Sequence, residues 1–538
     1  MIEMSRKTTI ASLVALSAIL LSVPFLVPGT GFLSLIALVP LLFAEEIATA
    51  TGMKHFFWWH YACFVLWNAA TTFWVCNATV GGGLFAIFAN ALQMSLIFSL
   101  FRWSRKHANG HLPYLFLAFM WIAWERFYLT SAEISWPWLV LGNSFARTTD
   151  WIQWYEYSGT LGGSLWIWVT NLGIFGILVS LCRGGWKEMN RIARTASVLG
   201  VAVALLAPPV ISMFLKPGEP DGSMDVVIAQ PNIDPYNKFG GMSQEEQNAF
   251  LLSQMESAPS SGNTLFLAPE TFTNDVVTND LMLSPTVDLF QSFVDGRPGT
   301  NLLFGASSRT YVQSPVKPSK TARGRGDGIW METHNSSLML SKGTQPQIFH
   351  KSKLVVAVEK TPYPAIFCPI DDMLGGVMGR NIGQKEVTNL IFNEYDTTGS
   401  AVSRIPVGSA ICYESVYGEY CAEYVRKGAR LLAVITNDAW WKDTPGYRQH
   451  LSYASLRAIE TRRWIARCAN TGISAIIDPS GKIVSHTSWW QPEVLSGTVG
   501  LSSEKTFFVI HGDVAGRISV FMFVFLLLVF IVKRITGR

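Results

Sequence analysis

Eight apolar runs, seven before residue 222 and one after residue 513, leave this chain few ways to fold. A helix needs about 20 apolar residues to cross a bilayer core of ~30 Å, at ~1.5 Å of rise each. The runs fall near 8–28, 31–50, 56–75, 83–101, 113–130, 161–182, 196–216 and 514–532. Only 15% of the residues are charged, against about 25% in soluble globular chains. Of the 20 Trp, 14 precede residue 222, which fits a part of the chain that meets two membrane–water interfaces. The first run is long for a signal-peptide core and a second follows at once, so we read it as a retained anchor.

Positive charge sorts the connecting loops. Arg6 and Lys7, then Arg102, Arg105 and Lys106, then Arg183, Lys187, Arg191 and Arg194, and finally Lys533, Arg534 and Arg538 fall in one alternating set. The loop 76–82 has no Lys or Arg, and the loop 131–160 has only Arg147. The positive-inside rule then keeps both termini in the cytoplasm and delivers residues 222–503 to the outer side. The loop 131–160 is rich in aromatics: Trp136-Pro137-Trp138, then Trp151, Trp154, Tyr155 and Tyr157. It reads either as an anchoring aromatic belt or as the lining of a lipid access path.

From Met224 the texture changes to short apolar runs alternating with polar or amphipathic ones. Strands are expected at Val226–Gln230, Thr264–Ala268, Asn301–Gly305, Ser336–Leu340, Gln347–His350, Ser403–Ile411, Leu431–Thr436, Ile465–Ala469 and Ser474–Ile477. Helices are expected near Glu245–Met255, Tyr417–Lys427 and Arg448–Arg463, the last the most amphipathic. Interleaved strands and helices argue a layered α/β domain. The expected organisation is a seven-helix membrane domain over 1–221, an α/β domain over 222–503, and a last membrane helix with its tail over 504–538. The seven Cys form no C-x-x-C pair, and no P-loop or strand-borne G-x-G-x-x-G occurs, so no metal or nucleotide cofactor is expected. The net charge of +4 gives no ground for a nucleic-acid partner.

Three expected strands end in residues capable of chemistry. Leu265-Phe266-Leu267-Ala268-Pro269 leads to Glu270, with no stabilising partner for that carboxylate evident in the sequence; Ile348-Phe349-His350 leads to Lys351; Gly408-Ser409-Ala410-Ile411 leads to Cys412. Ligand sites in α/β folds gather at strand ends. Each residue alone has a plainer reading, as a turn carboxylate, a solvated lysine or a small buried thiol. The order Glu–Lys–Cys, each at a strand end of one domain, is far more specific.

That order resembles the nitrilase superfamily, and the chain as a whole is similar to its membrane branch, the apolipoprotein N-acyltransferases. The resemblance rests on Ala268-Pro269-Glu270, His334-Asn335-Ser336, His350-Lys351-Ser352-Lys353-Leu354-Val355, Ile411-Cys412-Tyr413-Glu414, Thr436-Asn437-Asp438-Ala439-Trp440-Trp441, Gln449-His450, Arg457-Ala458-Ile459-Glu460 and Ala469-Asn470-Thr471-Gly472. Two segments depart from the family pattern: Val356-Ala357-Val358-Glu359 stands in place of Pro-Phe-Gly-Glu, and Lys238-Phe239 in place of Lys-Trp. The resemblance implies an αββα sandwich beside a polytopic helical domain in the bacterial cytoplasmic membrane, with the sandwich periplasmic. It implies Cys412 as nucleophile, Glu270 as general base and Lys351 as the positive charge for the thiolate and the oxyanion. Glu359 and Glu414 match accessory glutamates that orient Lys351 or share in proton transfer. Asn437, Asp438, Arg457 and Glu460 are expected to be structural. The implied substrates are a phospholipid acyl donor and a diacylglyceryl-modified lipoprotein acceptor, with no cofactor. Two other readings stand beside it: a membrane-tethered amidohydrolase with water as acceptor, and a transporter with an outer binding domain. Residues 365–395, with Met373-Leu374-Gly375-Gly376-Val377-Met378, are expected to form an apolar lid hinged at glycine.

Overall fold

The computed structural model describes residues 6–235, 241–258 and 262–536; Lys238, Phe239 and Arg538 lie outside them. Helices stand at all eight apolar runs: α1 (Arg6–Leu26), α2 (Val39–Ala50, entered through a 3-10 turn at Gly31–Leu35), α3 (Phe57–Thr72), α4 (Val80–Ser104), α5 (Leu112–Thr130), α6 (Tyr155–Cys182), α7 (Arg191–Phe214) and, at the far end, Val514–Thr536. Six of these stretches are long and apolar enough to cross a membrane; α3 and α5 are the exceptions. α3 has 16 residues, but right-handed helical backbone continues through Phe73 and Trp74 into the turn Val75–Ala78. α5 carries Glu125 and Arg126 near its end. α6 is broken at Gly159, whose φ of 62° suits glycine, and a Cβ there would stand 2.3 Å from Phe508. At the end of the bundle remote from the sheets, the buried Glu45 and Glu46 pair with the part-buried Arg102 and Arg105 and the exposed Arg183.

Among the described residues, fourteen strands build two sheets. They are β1 (Gly222–Gln230), β2 (Thr264–Leu267), β3 (Thr273–Val277), β4 (Thr300–Gln313), β5 (Arg323–Gly326), β6 (Ile329–Ser341), β7 (Gln347–His350), β8 (Leu390–Tyr395), β9 (Ala401–Ile411), β10 (Leu431–Thr436), β11 (Ile465–Ala469), β12 (Ala475–Ile477), β13 (Ile483–His486) and β14 (Glu493–Leu501). The first sheet runs β14-β1-β2-β4-β6-β5, with β3 on β4 and β7 on β6; the second runs β13-β12-β11-β10-β9-β8. Side chains alternate along β1: Val226 and Ile228 turn toward the second sheet, and Val227 and Ala229 turn outward. Cys468 on β11 reaches the carbonyl of Ala229 at 3.3 Å, so the sheets meet face to face.

Two helices, α8 (Gln244–Ser257) and α9 (Pro285–Asp295), cover the first sheet with Leu251, Met255, Phe290 and Val294. After α10 (Pro364–Met373) come α11 (Gly418–Arg426) and α12 (Pro445–Thr461), which cover the second sheet. A short α13 (Phe507–His511) then leads into the last membrane helix, α14 (Val514–Thr536). The layers are therefore α, β, β, α.

Unlike the amphipathic helix expected from its sequence, α12 is buried on every side from Gln449 to Thr461. One face meets the second sheet and the other meets the membrane helices. Gln449 uses its whole side chain at that junction. Its Oε1 accepts from Trp74 Nε1 (3.2 Å) and Trp138 Nε1 (2.7 Å), and its Nε2 donates to the carbonyls of Phe25 (3.2 Å) and Thr71 (3.1 Å). The aromatic loop between α5 and α6 is not a surface belt at its centre. Trp138 is 1% exposed, and residues 137–146 are buried between bundle and sandwich. A single core of buried apolar side chains runs from the bundle through α12 into the space between the sheets.

Candidate active site

The ends of β2, β7 and β9 converge. Beyond β2, Pro269 has no N–H to extend the ladder, and the chain turns to present Glu270. Gly305 on β4 lies so close that a Cβ would stand 2.5 Å from Glu270 Cα. Far from lacking partners, Glu270 is 6% exposed and has three donors. Its Oε1 accepts from Lys351 Nζ at 2.9 Å and Asn335 Nδ2 at 2.7 Å, and its Oε2 accepts from the Asn437 amide at 3.1 Å.

Lys351 is 1% exposed, and its amide is fixed to the Asn335 carbonyl at 2.8 Å. Its ammonium bridges Glu270 and Glu359, each at 2.9 Å. Glu359 also accepts from Asn335 Nδ2 (2.7 Å) and from the Val355 amide (2.7 Å). Glu359 is thus an ion-pair partner of Lys351, and the turn before it places Ala357 at a φ of 67°. Burial works against the ammonium, but the charges of Glu270 and then Glu359 outweigh it and hold Lys351 well above the usual lysine value.

Cys412 opens the 3-10 turn Cys412–Val416 directly after β9, with a φ of 50°. That is left-handed backbone for a residue with a Cβ, a strained conformation that collects at functional sites. Burial, then the charge of Glu270, push the thiol well above its usual value; Lys351 and a hydrogen bond with Thr436 oppose them. A thiol in this setting would need a base before it could act as a nucleophile.

Glu414 departs from its expected role. Its Oε1 accepts from the Ser352 amide (2.6 Å), the Lys353 amide (3.2 Å) and Tyr420 Oη (2.7 Å), and its Oε2 accepts from the Ile411 amide (2.8 Å). It ties the backbone of the lysine segment to the turn that carries Cys412 and makes no hydrogen bond to the ammonium. Arg457 and Glu460 form a buried pair at 2.9 Å, and Glu460 Oε1 accepts from the Thr160 amide at the start of the helical run of α6. That is a structural tie between α12 and the bundle. The site also contains residues to which the sequence reading gave no role: Asn335, which bridges the two carboxylates, and His450. Both stood inside matching segments, so the signal was position and not chemistry.

A family model for the carbon-nitrogen hydrolases matches residues 312–506, which hold Lys351 and Cys412, and one for the apolipoprotein N-acyltransferase N-terminal domain matches residues 17–173. The apolipoprotein N-acyltransferase of Chlorobaculum tepidum is 31% identical, over 90% of this chain and 89% of its own length. The chain belongs to the apolipoprotein N-acyltransferase family. A relative of the same name from Geobacter metallireducens is 26% identical over 93% of this chain and 91% of its own. Family membership fits a nitrilase-type sandwich and a bundle of long apolar helices in one chain. It also accounts for a bacterial membrane location.

Proposed function

We propose that this protein moves a fatty acyl chain from a phospholipid, through a thioester on Cys412, to the N-terminal amine of a diacylglyceryl-cysteine in a lipoprotein. The observation that carries this reading is the gathering of Glu270, Lys351 and Cys412 against a membrane bundle, in a chain of this family. Glu270 takes the thiol proton as Sγ attacks the ester carbonyl, and Lys351 faces the oxyanion. Collapse breaks the ester bond, and Glu270 returns the proton to the departing lysophospholipid oxygen. In the second half the amine attacks the thioester, Glu270 takes the amine proton, and the proton passes to the leaving sulfur. Donor and acceptor bind in turn, giving ping-pong kinetics.

Intact mass spectrometry tests the first half. Incubation with phospholipid adds one acyl mass, removable by hydroxylamine and mapping to Cys412. Adding a diacylated lipopeptide with a free N-terminal amine clears the adduct and yields the amide, whereas its N-acetylated form leaves the adduct in place. Decay at equal rates with and without the amine, releasing free fatty acid, would make the protein a hydrolase.

The proposed arrangement places residues 1–221 and 504–538 in and around the membrane and residues 222–503 in the periplasm. α10 carries an apolar face that suits the lipid surface: Ile366, Ile370, Met373, Leu374 and Val377 are exposed, Met373 by 84%. Gly375 and Gly376 turn the chain at φ 93° and 70°, and Asp371 holds the return by accepting from the Met378 amide (2.8 Å) and Arg380 Nη2 (2.6 Å). In spheroplasts of a strain whose protein lacks Cys182, an impermeant maleimide will label Lys317→Cys and not Asn190→Cys; both positions are exposed. Labelling in the opposite order would invert the topology.

A further inference from the structure

His450 lies on α12, is 0% exposed, and touches the nucleophile turn from behind. Its Nε2 donates to the carbonyl oxygen of Cys412 at 3.1 Å. Ser415 Oγ donates to the same oxygen at 2.8 Å and stands 3.0 Å from Nε2. On the other side of the ring, Nδ1 lies 2.9 Å from Asp438 Oδ1. Asp438 follows β10 by two residues, is 0% exposed, and accepts from Thr436 Oγ1 at 2.7 Å and from Arg467 of β11. The side chains of Cys412, Asp438 and His450 bring one sulfur, one carboxylate oxygen and one ring nitrogen within 4.8 Å of one another. Residues from β10, β11 and α12, or just beyond them, thus converge on the turn that follows β9.

We propose that His450, held by Asp438, is a positioning residue for the nucleophile: it fixes the carbonyl of Cys412 and so the left-handed turn that aims the thiol at Glu270 and Lys351. A left-handed conformation at a residue with a side chain is strained and persists only where its surroundings over-determine it. The two donors on one carbonyl supply that determination, and neither belongs to the Glu270–Lys351–Glu359 cluster. Asp438 is suited to anchor the ring. Burial opposes its charge, but His450 and Arg467 overcome this and hold its carboxyl at about 2. Both ring nitrogens face protein atoms, Nδ1 also lying 3.2 Å from Arg467 Nη2, so its effect reaches the reaction through Cys412.

The inference rests on Cys412 as nucleophile, and its test has one arm that needs no lipid. In His450→Gln the amide nitrogen falls near Nε2 and keeps a donor for the Cys412 carbonyl; in His450→Asn it falls near Nδ1 and serves only Asp438. Misplacing a reacting group by about 1 Å costs on the order of 10²-fold. We expect His450→Asn to form the thioester on the order of 10²-fold more slowly, with the KM for phospholipid unchanged. His450→Gln will recover most of the rate. Alkylation of Cys412 by iodoacetamide, followed by peptide mapping, will show the same ranking whether or not the protein is an acyltransferase. Wild-type rates in both variants, equal loss in both, or a raised KM at unchanged kcat would overturn the proposal. If neither His450 variant folds, Ser415→Ala decides, because it removes the second donor from the same carbonyl; an unchanged kcat there also overturns it.

Discussion

Lys351→Met will form no detectable thioester and will melt well below the wild-type protein. The ammonium lies 2.9 Å from each of two carboxylates, at side-chain exposures of 1% for Lys351, 7% for Glu270 and 14% for Glu359. Removing one partner of a buried ion pair costs about 3–5 kcal/mol, because the charge left behind is uncompensated. Here two carboxylates are left facing each other, joined only by the Asn335 amide at 2.7 Å from each. That repulsion also displaces Glu270, so the base is lost along with the cation. Losing one preorganised electrostatic partner of an oxyanion typically slows catalysis about 10²–10³-fold, and loss of the base compounds it. Intact-mass time courses and thermal unfolding measure the two effects. Lys353→Met is the control: that ammonium lies over the Tyr417 ring at 5.1 Å, outside the cluster, and its loss should be mild. An adduct forming in Lys351→Met within tenfold of the wild-type rate would sink the assignment of the cation.

Glu270→Gln separates chemistry from architecture. The substituted side chain keeps its size and can still accept from Lys351 through Oε1. Its new amide group then faces the Asn437 N–H, which now donates to Oε2 at 3.1 Å, so one buried donor loses its acceptor. That costs about 1–3 kcal/mol, small enough for the protein to remain folded. Thioester formation should fall by about 10²–10⁴-fold, the usual contribution of a positioned general base. The measurement is single-turnover acylation followed by mass, alongside a melting curve. A folded Glu270→Gln protein that acylates at the wild-type rate would remove the base role from this carboxylate.

Where burial is complete, the fold was legible from the chain. β10 is buried at all six of its residues and is apolar from Leu431 to Ile435; β2 and β11 are also buried throughout, and Arg467 is the one charged residue in these three strands. β3, β5, β8, β13 and β14 escaped the sequence reading. All five sit at sheet edges or off the main path: β5 is exposed throughout, β3, β13 and β14 have mixed patterns, and β8 is an edge strand although four of its six residues are buried. α9 escaped although its start is written in the chain: Ser284 caps it by accepting from the Val287 amide, and Pro285 follows at the first position. The candidate trio stands at three strand ends of one domain, and that much is visible in the chain. The partners of Glu270 are not, because Asn335 comes from β6, and Asn437 follows β10 in the other sheet. Such a constellation exists only once the two sheets face each other. His450 was hidden for a related reason: its helix is polar on a face that sequence periodicity assigns to water and that the bundle in fact covers.

Gln449 and His450 are neighbours in the chain with different correspondents. One holds the carbonyls of Phe25 and Thr71, at the ends of α1 and α3; the other holds the carbonyl of the reactive cysteine. A bilayer thinner or thicker than its spanning helices makes them tilt. Tilt of α1 or α3 would therefore pull on the helix position next to the one that holds the Cys412 turn. Turnover in bilayers of graded acyl length measures whether that link carries membrane thickness to the site.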